Sequence, residues 1–246
     1  MGTFEQEWRR RFESFARRNR EEHLISGWSE QGLRRRVEAV QSLLRSRGAG
    51  PPSSALDLGC GGGTYVRLLA KEGHRAFGFD YSHPSLLRAL AADADPHRRY
   101  VQGEAYRLPF RERSFDLILA IGIFQALGAP ERALDEIARV LRPGGHVILE
   151  ALNAHELIAL AKRARQSLRG GGEDPVRTYP PETIRGWLEV RGLRPMTRVG
   201  IYLPPPRPAW LGRFVERSRV LPLVARVPAL AWVGAHSYLT LAEKRS

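Results

Sequence analysis

The chain predicts an α/β fold with a doubly wound parallel sheet, on three observations. Short apolar runs recur near residues 55–58, 76–80, 99–102, 115–120 and 146–151. Stretches with helical spacing separate them. The first run closes on an acid and opens, through a tight glycine loop, into an amphipathic helix. Strands that alternate with helices pair in parallel and carry those helices on both faces of the sheet. At 246 residues the chain has the length of one domain, with room for an appendage.

Taken in order, residues 1–52 read as an N-terminal cap of two helices. Phe4, Trp8, Phe12 and Phe15 recur at three- and four-residue spacing, and Leu33, Val37, Val40 and Leu44 make a second stripe. An aromatic stripe usually packs, and this one is expected to dock the cap over the cleft. Between the stripes, Trp28 has two readings, a pocket wall or an anchor for the cap. Gly48 to Ser54 is the linker into the first strand. Residues 53–246 then form the main domain. Beyond the fifth strand, Thr178 to Val190 reads as a helix opened by Pro180-Pro181, and Arg194–Val199 and Ser237–Glu243 read as the last two strands. Insertions are expected near 152–177, with a helix and Gly170–Gly172, and near 203–235. The second holds the run Val220–Val233, which Arg226 and two prolines interrupt and which is too short to span a bilayer. It reads as a helical flap, with peripheral membrane contact through 207–235 or an apolar acceptor wall as the alternatives.

The glycine loop Asp57-Leu58-Gly59-Cys60-Gly61-Gly62-Gly63-Thr64 carries the chemistry. Glycine is needed where a chain turns sharply and brings its backbone against a ligand, and such a loop after the first parallel strand is where open α/β sheets bind nucleotide-like groups. A dinucleotide fingerprint requires glycine or alanine where Thr64 stands, and a phosphate loop requires a lysine that is absent. The remaining pattern, acid-x-Gly-x-Gly-x-Gly, resembles motif I of the class I S-adenosylmethionine-dependent methyltransferases.

Further segments continue the resemblance in order. Asp80-Tyr81-Ser82, at the end of the second strand, resembles the family's next segment, in which the acid binds ribose hydroxyls; capping the following helix is the structural alternative. Gly103-Glu104-Ala105 before Leu108-Pro109-Phe110, then Phe115-Asp116, resembles the family's adenine-reading stretch, with Glu104 in place of the commoner Asp. Arg142-Pro143-Gly144-Gly145 resembles its helix-to-strand turn, where the glycines are expected to end the helix. The resemblance covers roughly residues 53 to 200, and the segments look most like the ubiquinone/menaquinone-type small-molecule branch. It implies a Rossmann-like seven-stranded sheet, mostly parallel with an antiparallel last strand. It also implies S-adenosylmethionine as cofactor, with Asp57, Gly59, Gly61, Gly63, Asp80, Tyr81, Glu104, Ala105, Ile121 and Gln125 as its contacts.

No metal is expected, because the histidines are dispersed and contain no H-E-x-x-H. Gln125 stands where many small-molecule members carry a histidine, and glutamine cannot take a proton near neutrality. Glu150, His155 and Tyr179 are therefore the candidate general bases on the acceptor side. The one cysteine, Cys60, rules out an intramolecular disulfide framework and reads as space-filling. The charged N-terminus lacks the apolar core of a signal peptide, so a cytoplasmic location is expected. A net charge of +13, almost all arginine with only Lys71, Lys162 and Lys244 beside it, would attract RNA or acidic surfaces. The expected acceptor is a small molecule, lipid-like precursor or glycan. The alternatives are an RNA methyltransferase using the arginine-rich N-terminal helices, and a cofactor-binding subunit without activity. The signature Asn/Asp-Pro-Pro-Tyr/Phe of base-modifying enzymes is absent after the fourth strand.

Overall fold

The computed structural model describes residues 3–47, 53–95, 99–156, 176–202 and 234–245. The cap consists of α1 (Thr3–Arg18), a single turn α2 (Glu22–Ile25) and α3 (Glu30–Ser46). Two cap helices were expected, and the short α2 is the addition, formed in the break between the stripes. Serine at position 29 starts α3 by accepting a bond from the Gly32 amide at 3.0 Å.

Seven strands follow: β1 (Ser54–Leu58), β2 (Arg75–Asp80), β3 (Arg99–Gln102), β4 (Phe115–Ala120), β5 (Leu141–Leu152), β6 (Leu193–Ile201) and β7 (Ser237–Lys244). They form one sheet in the order β3-β2-β1-β4-β5-β7-β6. β1 to β5 pair in parallel, and β7 runs antiparallel between β5 and β6. Helices α4 (Thr64–Lys71), α5 (His83–Ala92), α6 (Pro130–Val140) and α7 (Pro181–Glu189) complete the layers.

Side-chain alternation divides the core between the two faces. Leu56, Leu58, Ile118 and Ala120 pack with Leu134, Ile137, Ile184 and Leu188 of α6 and α7. Ala55, Leu117 and Leu119 pack with Val40 and Leu43 of α3 and Tyr65, Val66 and Leu69 of α4. With both faces covered, all five residues of β1 are buried. The sheet order reverses between β1 and β4, so the loops leaving their carboxyl ends diverge and open a crevice there.

The Arg142–Gly145 segment corrects one expectation. α6 already ends at Val140, and Leu141 is extended and pairs with Phe115. The glycines lie in a bulge of β5: the register jumps from Phe115/Leu141 to Leu117/His146, and Gly144 takes φ +73°. Proline at 143 and a left-handed glycine suit a bulge, where the ladder is interrupted anyway. The glycine run at 170–172, the Val220–Val233 run and most of both expected insertions lie outside the described residues.

Candidate active site

Residues Gly59 to Gly63 turn the chain back over the end of β2. The Gly59 and Cys60 amides both donate to the Phe79 carbonyl, at 2.7 and 3.1 Å. Gly59, Gly61 and Gly63 all take positive φ, between +50° and +83°. A Cβ on Gly59 would also run into the Ile123 side chain, so this position requires glycine twice over.

A cavity with some 1070 Å³ of space free of protein atoms, solvent at its mouth included, lies at this carboxyl edge. Its floor is the loop from Leu58 to Gly61 with Asp80 at the end of β2 and Tyr81 after it. One side is Gly103 to Tyr106 and the other Ile121 to Ile123; α1 and Trp28 form the roof. Gly59, Gly61, Asp80, Tyr81, Glu104, Ala105 and Ile121 therefore share one chamber. Asp57, Gly63 and Gln125 do not line it. Asp57 is buried beneath the loop, and its Oδ2 has no hydrogen-bond partner among the described residues. Gly63 caps α4, and Gln125 Nε2 donates to the Gly122 carbonyl at 2.5 Å.

Asp80 is 8 % exposed. Its Oδ2 accepts the Gly61 amide at 2.9 Å and its Oδ1 the Ser82 amide at 2.8 Å. Capping of α5 falls instead to Ser82, whose hydroxyl accepts from the Ser85 amide. Burial pushes the Asp80 carboxyl up, and the amide donors and Arg9 pull it back. Burial, and then the charge of Asp80, push Asp57 well above the usual carboxylate range. Burial likewise pushes the Cys60 thiol well up. That fits its space-filling reading, since the thiolate is the reactive form.

The cap contributes residues that the sequence did not single out. Arg9 places its guanidinium 4.6 Å from the Tyr81 ring centroid and pairs with Glu104. Glu5 accepts from the Tyr106 hydroxyl and from the Gly128 amide, the latter at 2.6 Å. Glu22 pairs with Arg67 and accepts from Thr64 at the start of α4. The sequence signals for Arg9 were its place in the arginine-rich first helix and one residue beyond Trp8 in the aromatic stripe. Trp28 lines the cavity and lies under the Arg36 guanidinium, 4.4 Å from its ring centroid, and its ring packs against Gly122 of the main domain, so both readings of it hold.

The three general-base candidates stand apart from this chamber. Glu150 is 1 % exposed and held by Arg36 Nε at 2.8 and 3.0 Å, while the Ser237 hydroxyl donates to it at 2.5 Å. That carboxylate is an ion-pair partner enclosed between α3 and the sheet. His155 is exposed, with Glu182 at 3.7 Å. The Tyr179 hydroxyl is buried and donates to the Phe124 carbonyl at 3.2 Å.

A second cavity, with some 760 Å³ of space on the same measure, adjoins the first. Trp8, Phe12, Ser26 and Trp28 line both. Phe15, Arg36, Gln125 and His236 belong to the second alone. Among the described residues no group of three or more metal-ligating side chains comes together, and no helix is long and apolar enough to cross a membrane.

Residues 56–149 match a family described as a methyltransferase domain. A malonyl-[acyl-carrier protein] O-methyltransferase of Pseudescherichia vulneris is 32% identical over 165 residues, 65% of this chain and 64% of that protein. A ubiquinone biosynthesis O-methyltransferase of Photorhabdus laumondii is 26% identical over 161 residues, 61% of this chain and 66% of that protein. The match thus spans a little under two thirds of these relatives' lengths. Among solved structures, the methyltransferase in complex with the Trm112 activator of Haloferax volcanii superposes with a TM-score of 0.71 at 21% identity, covering 96% of this chain and 98% of that one. The magnesium protoporphyrin IX methyltransferase of Synechocystis PCC 6803 gives a TM-score of 0.68 at 15% identity, covering 98% and 99%. At these identities the structures bear on the fold alone.

Proposed function

Because the chain carries a class I S-adenosylmethionine-dependent methyltransferase domain, we propose that the whole protein transfers a methyl group to oxygen of a small-molecule or lipid-like acceptor. One observation carries the reading: a chamber floored by the glycine loop and Asp80 shares an aromatic wall with a second chamber. When bound, S-adenosylmethionine supplies a methyl on a sulfonium, already activated for in-line displacement. Gly59 and Gly61 bring bare backbone against it. Asp80 has lone pairs left over from its two amide donors to accept ribose hydroxyls, and Glu104 with the Ala105 amide reads adenine. Tyr81 and Ile121 wall the ring and the chain. Gly63, Asp57 and Gln125 shape the loop and its neighbours from behind. Residues 1–52 act as a roof that excludes water and aligns the two reactants.

The names of the relatives, O-methyltransferases of ubiquinone biosynthesis and of a malonyl carrier protein, support oxygen as the attacking atom. The RNA reading is weakened by what the α1 arginines do. Arg9 turns inward to Glu104, Arg11 stacks on Trp8 and Phe15, and Arg17 pairs with Glu13. We assign the protein to the cytoplasm, in keeping with a single cysteine, and place any membrane contact at 207–235. The test is incubation with methyl-labelled cofactor and fractionated extract. Label should enter small molecules or lipid; label in RNA, or none in any fraction, would overturn the assignment.

A further inference from the structure

The second cavity holds a group that no sequence pattern marked. β7 runs antiparallel to β5, with Ser237 opposite Leu152, so the start of β7 arrives at the carboxyl edge of the sheet. His236 is therefore delivered to the cavity from the far end of the chain. The backbone there is pinned: the Asn153 amide donates to the His236 carbonyl at 3.0 Å, Asn153 Nδ2 donates to the Ala235 carbonyl at 2.9 Å, and the His236 amide donates to the Ile201 carbonyl at 2.8 Å. Its Nδ1 faces both oxygens of Glu156 at 3.3 Å. A carboxylate accepts only, so the Nδ1 nitrogen carries a hydrogen, and in the neutral ring the lone pair then lies on Nε2. Among the described residues nothing hydrogen-bonds Nε2.

Among the described residues the surroundings leave this imidazole as the available proton acceptor. The other charged side chains on the cavity wall, among the described residues, are Arg11 and Arg36. Arg36 is held by Glu150, and Arg11 lies over Trp8 and Phe15. Gln125 cannot take a proton. Trp8, Phe12, Phe15 and Trp28 supply flat apolar faces to a wall that also carries Ser26, Ser29 and Gln125.

We propose that His236 is the general base of the methyl transfer, that Glu156 is its positioning residue, and that the second cavity takes an acceptor with a hydroxyl on an aromatic or flat apolar skeleton. This rests on the cofactor occupying the first cavity. His236 Nε2 takes the hydroxyl proton as the oxygen lone pair forms the new O–C bond. The C–S bond of the sulfonium breaks with its electron pair left on sulfur, and the proton passes from the imidazolium to water. General-base assistance of this kind contributes about 10²–10⁴-fold in rate.

The experiment pairs acceptors of matched shape, 4-hexylphenol against 4-hexylbenzoate, with catechol as a second, smaller phenol, using methyl-labelled cofactor and the full chain. The phenols should be methylated. His236→Asn keeps a donor for Glu156 without a base; it should lower kcat at least 100-fold, leave KM for the phenol within about threefold, and leave S-adenosylhomocysteine affinity within twofold. Imidazole in the buffer should restore part of the rate to His236→Ala. Nitrogen-15 NMR of the ring reads the dyad without turnover: the wild type should show the Nδ1–H tautomer, and Glu156→Leu should lose that preference. Transfer to the benzoate alone, no transfer to either phenol while S-adenosylhomocysteine binds, an unimpaired His236→Asn, or an Nε2–H tautomer in the wild type would each overturn the dyad. Failure to bind S-adenosylhomocysteine at all would instead overturn the methyltransferase reading beneath it.

Discussion

Removing one partner of the Arg36–Glu150 pair should cost much of the protein's stability, and removing both should cost little. The side chains are 3 % and 1 % exposed and join α3 to β5. Glu150 receives Arg36 Nε on both oxygens and the Ser237 hydroxyl on one. Arg36→Met leaves a buried carboxylate with that hydroxyl alone, a loss of about 3–5 kcal/mol for an uncompensated buried charge. Against the ~5–15 kcal/mol typical of a domain, that is a shift in Tm of about 6–20 °C at the ~2–4 °C per kcal/mol expected for this chain length. Glu150→Leu should cost a similar amount, because it strands the guanidinium. The double variant Arg36→Met/Glu150→Leu replaces the pair with apolar volume and should lie within about 1 kcal/mol of the wild type. Urea unfolding followed by tryptophan fluorescence measures all four proteins, and the coupling energy follows from the cycle. Single-variant losses below 1 kcal/mol, or a double variant no more stable than either single, would refute the assignment of Glu150 as a structural ion-pair partner.

Asp80→Ala should weaken S-adenosylhomocysteine at least tenfold in calorimetry, the ~1.4 kcal/mol of a lost charged hydrogen bond; unchanged affinity would remove Asp80 from the cofactor site. Gly59→Ala and Gly73→Ala form a pair, since both glycines have positive φ but only Gly59 has a side chain in the way of a Cβ. The Gly73 variant should lose about 1–2 kcal/mol from backbone strain and the Gly59 variant a further 1–3 kcal/mol from crowding, so equal losses in urea would show that the crowding is absorbed. Asp57→Asn should stabilise the protein increasingly as pH rises from 4 to 7. A carboxyl whose folded pKa is raised, here by burial and then by Asp80, binds its proton more tightly folded than unfolded, so stability falls as pH climbs above the unfolded value near 3.9. A gain independent of pH, or a loss at pH 7, would contradict that sign.

Much of the first cavity was legible because its parts are local in the chain. Asp80 ends a strand and Gly59, Glu104 and Ile121 each follow one, and parallel strands bring these segments to one edge. The N-terminal roof was legible in outline from its aromatic stripe. The bulge at Arg142–Gly145 was not, because Pro-Gly-Gly after a helix fits a helix stop as well as a looped-out strand. Only the pairing of Leu141 with Phe115 distinguishes them.

Periodicity and turn chemistry, which act over a few residues, were enough to specify the strand and helix order, the glycine loop and the acid at the end of β2. Tertiary structure alone decided the long-range partners: Arg9 with Glu104 across 95 residues, Arg36 with Glu150 across 114, and His236 with Glu156 across 80. Burial and chain reversal create these contacts, and neither leaves a local trace. Glu150 looked like a base until α3 supplied its arginine. His236 looked like one of several dispersed histidines until the antiparallel β7 carried it to the carboxyl edge of β5.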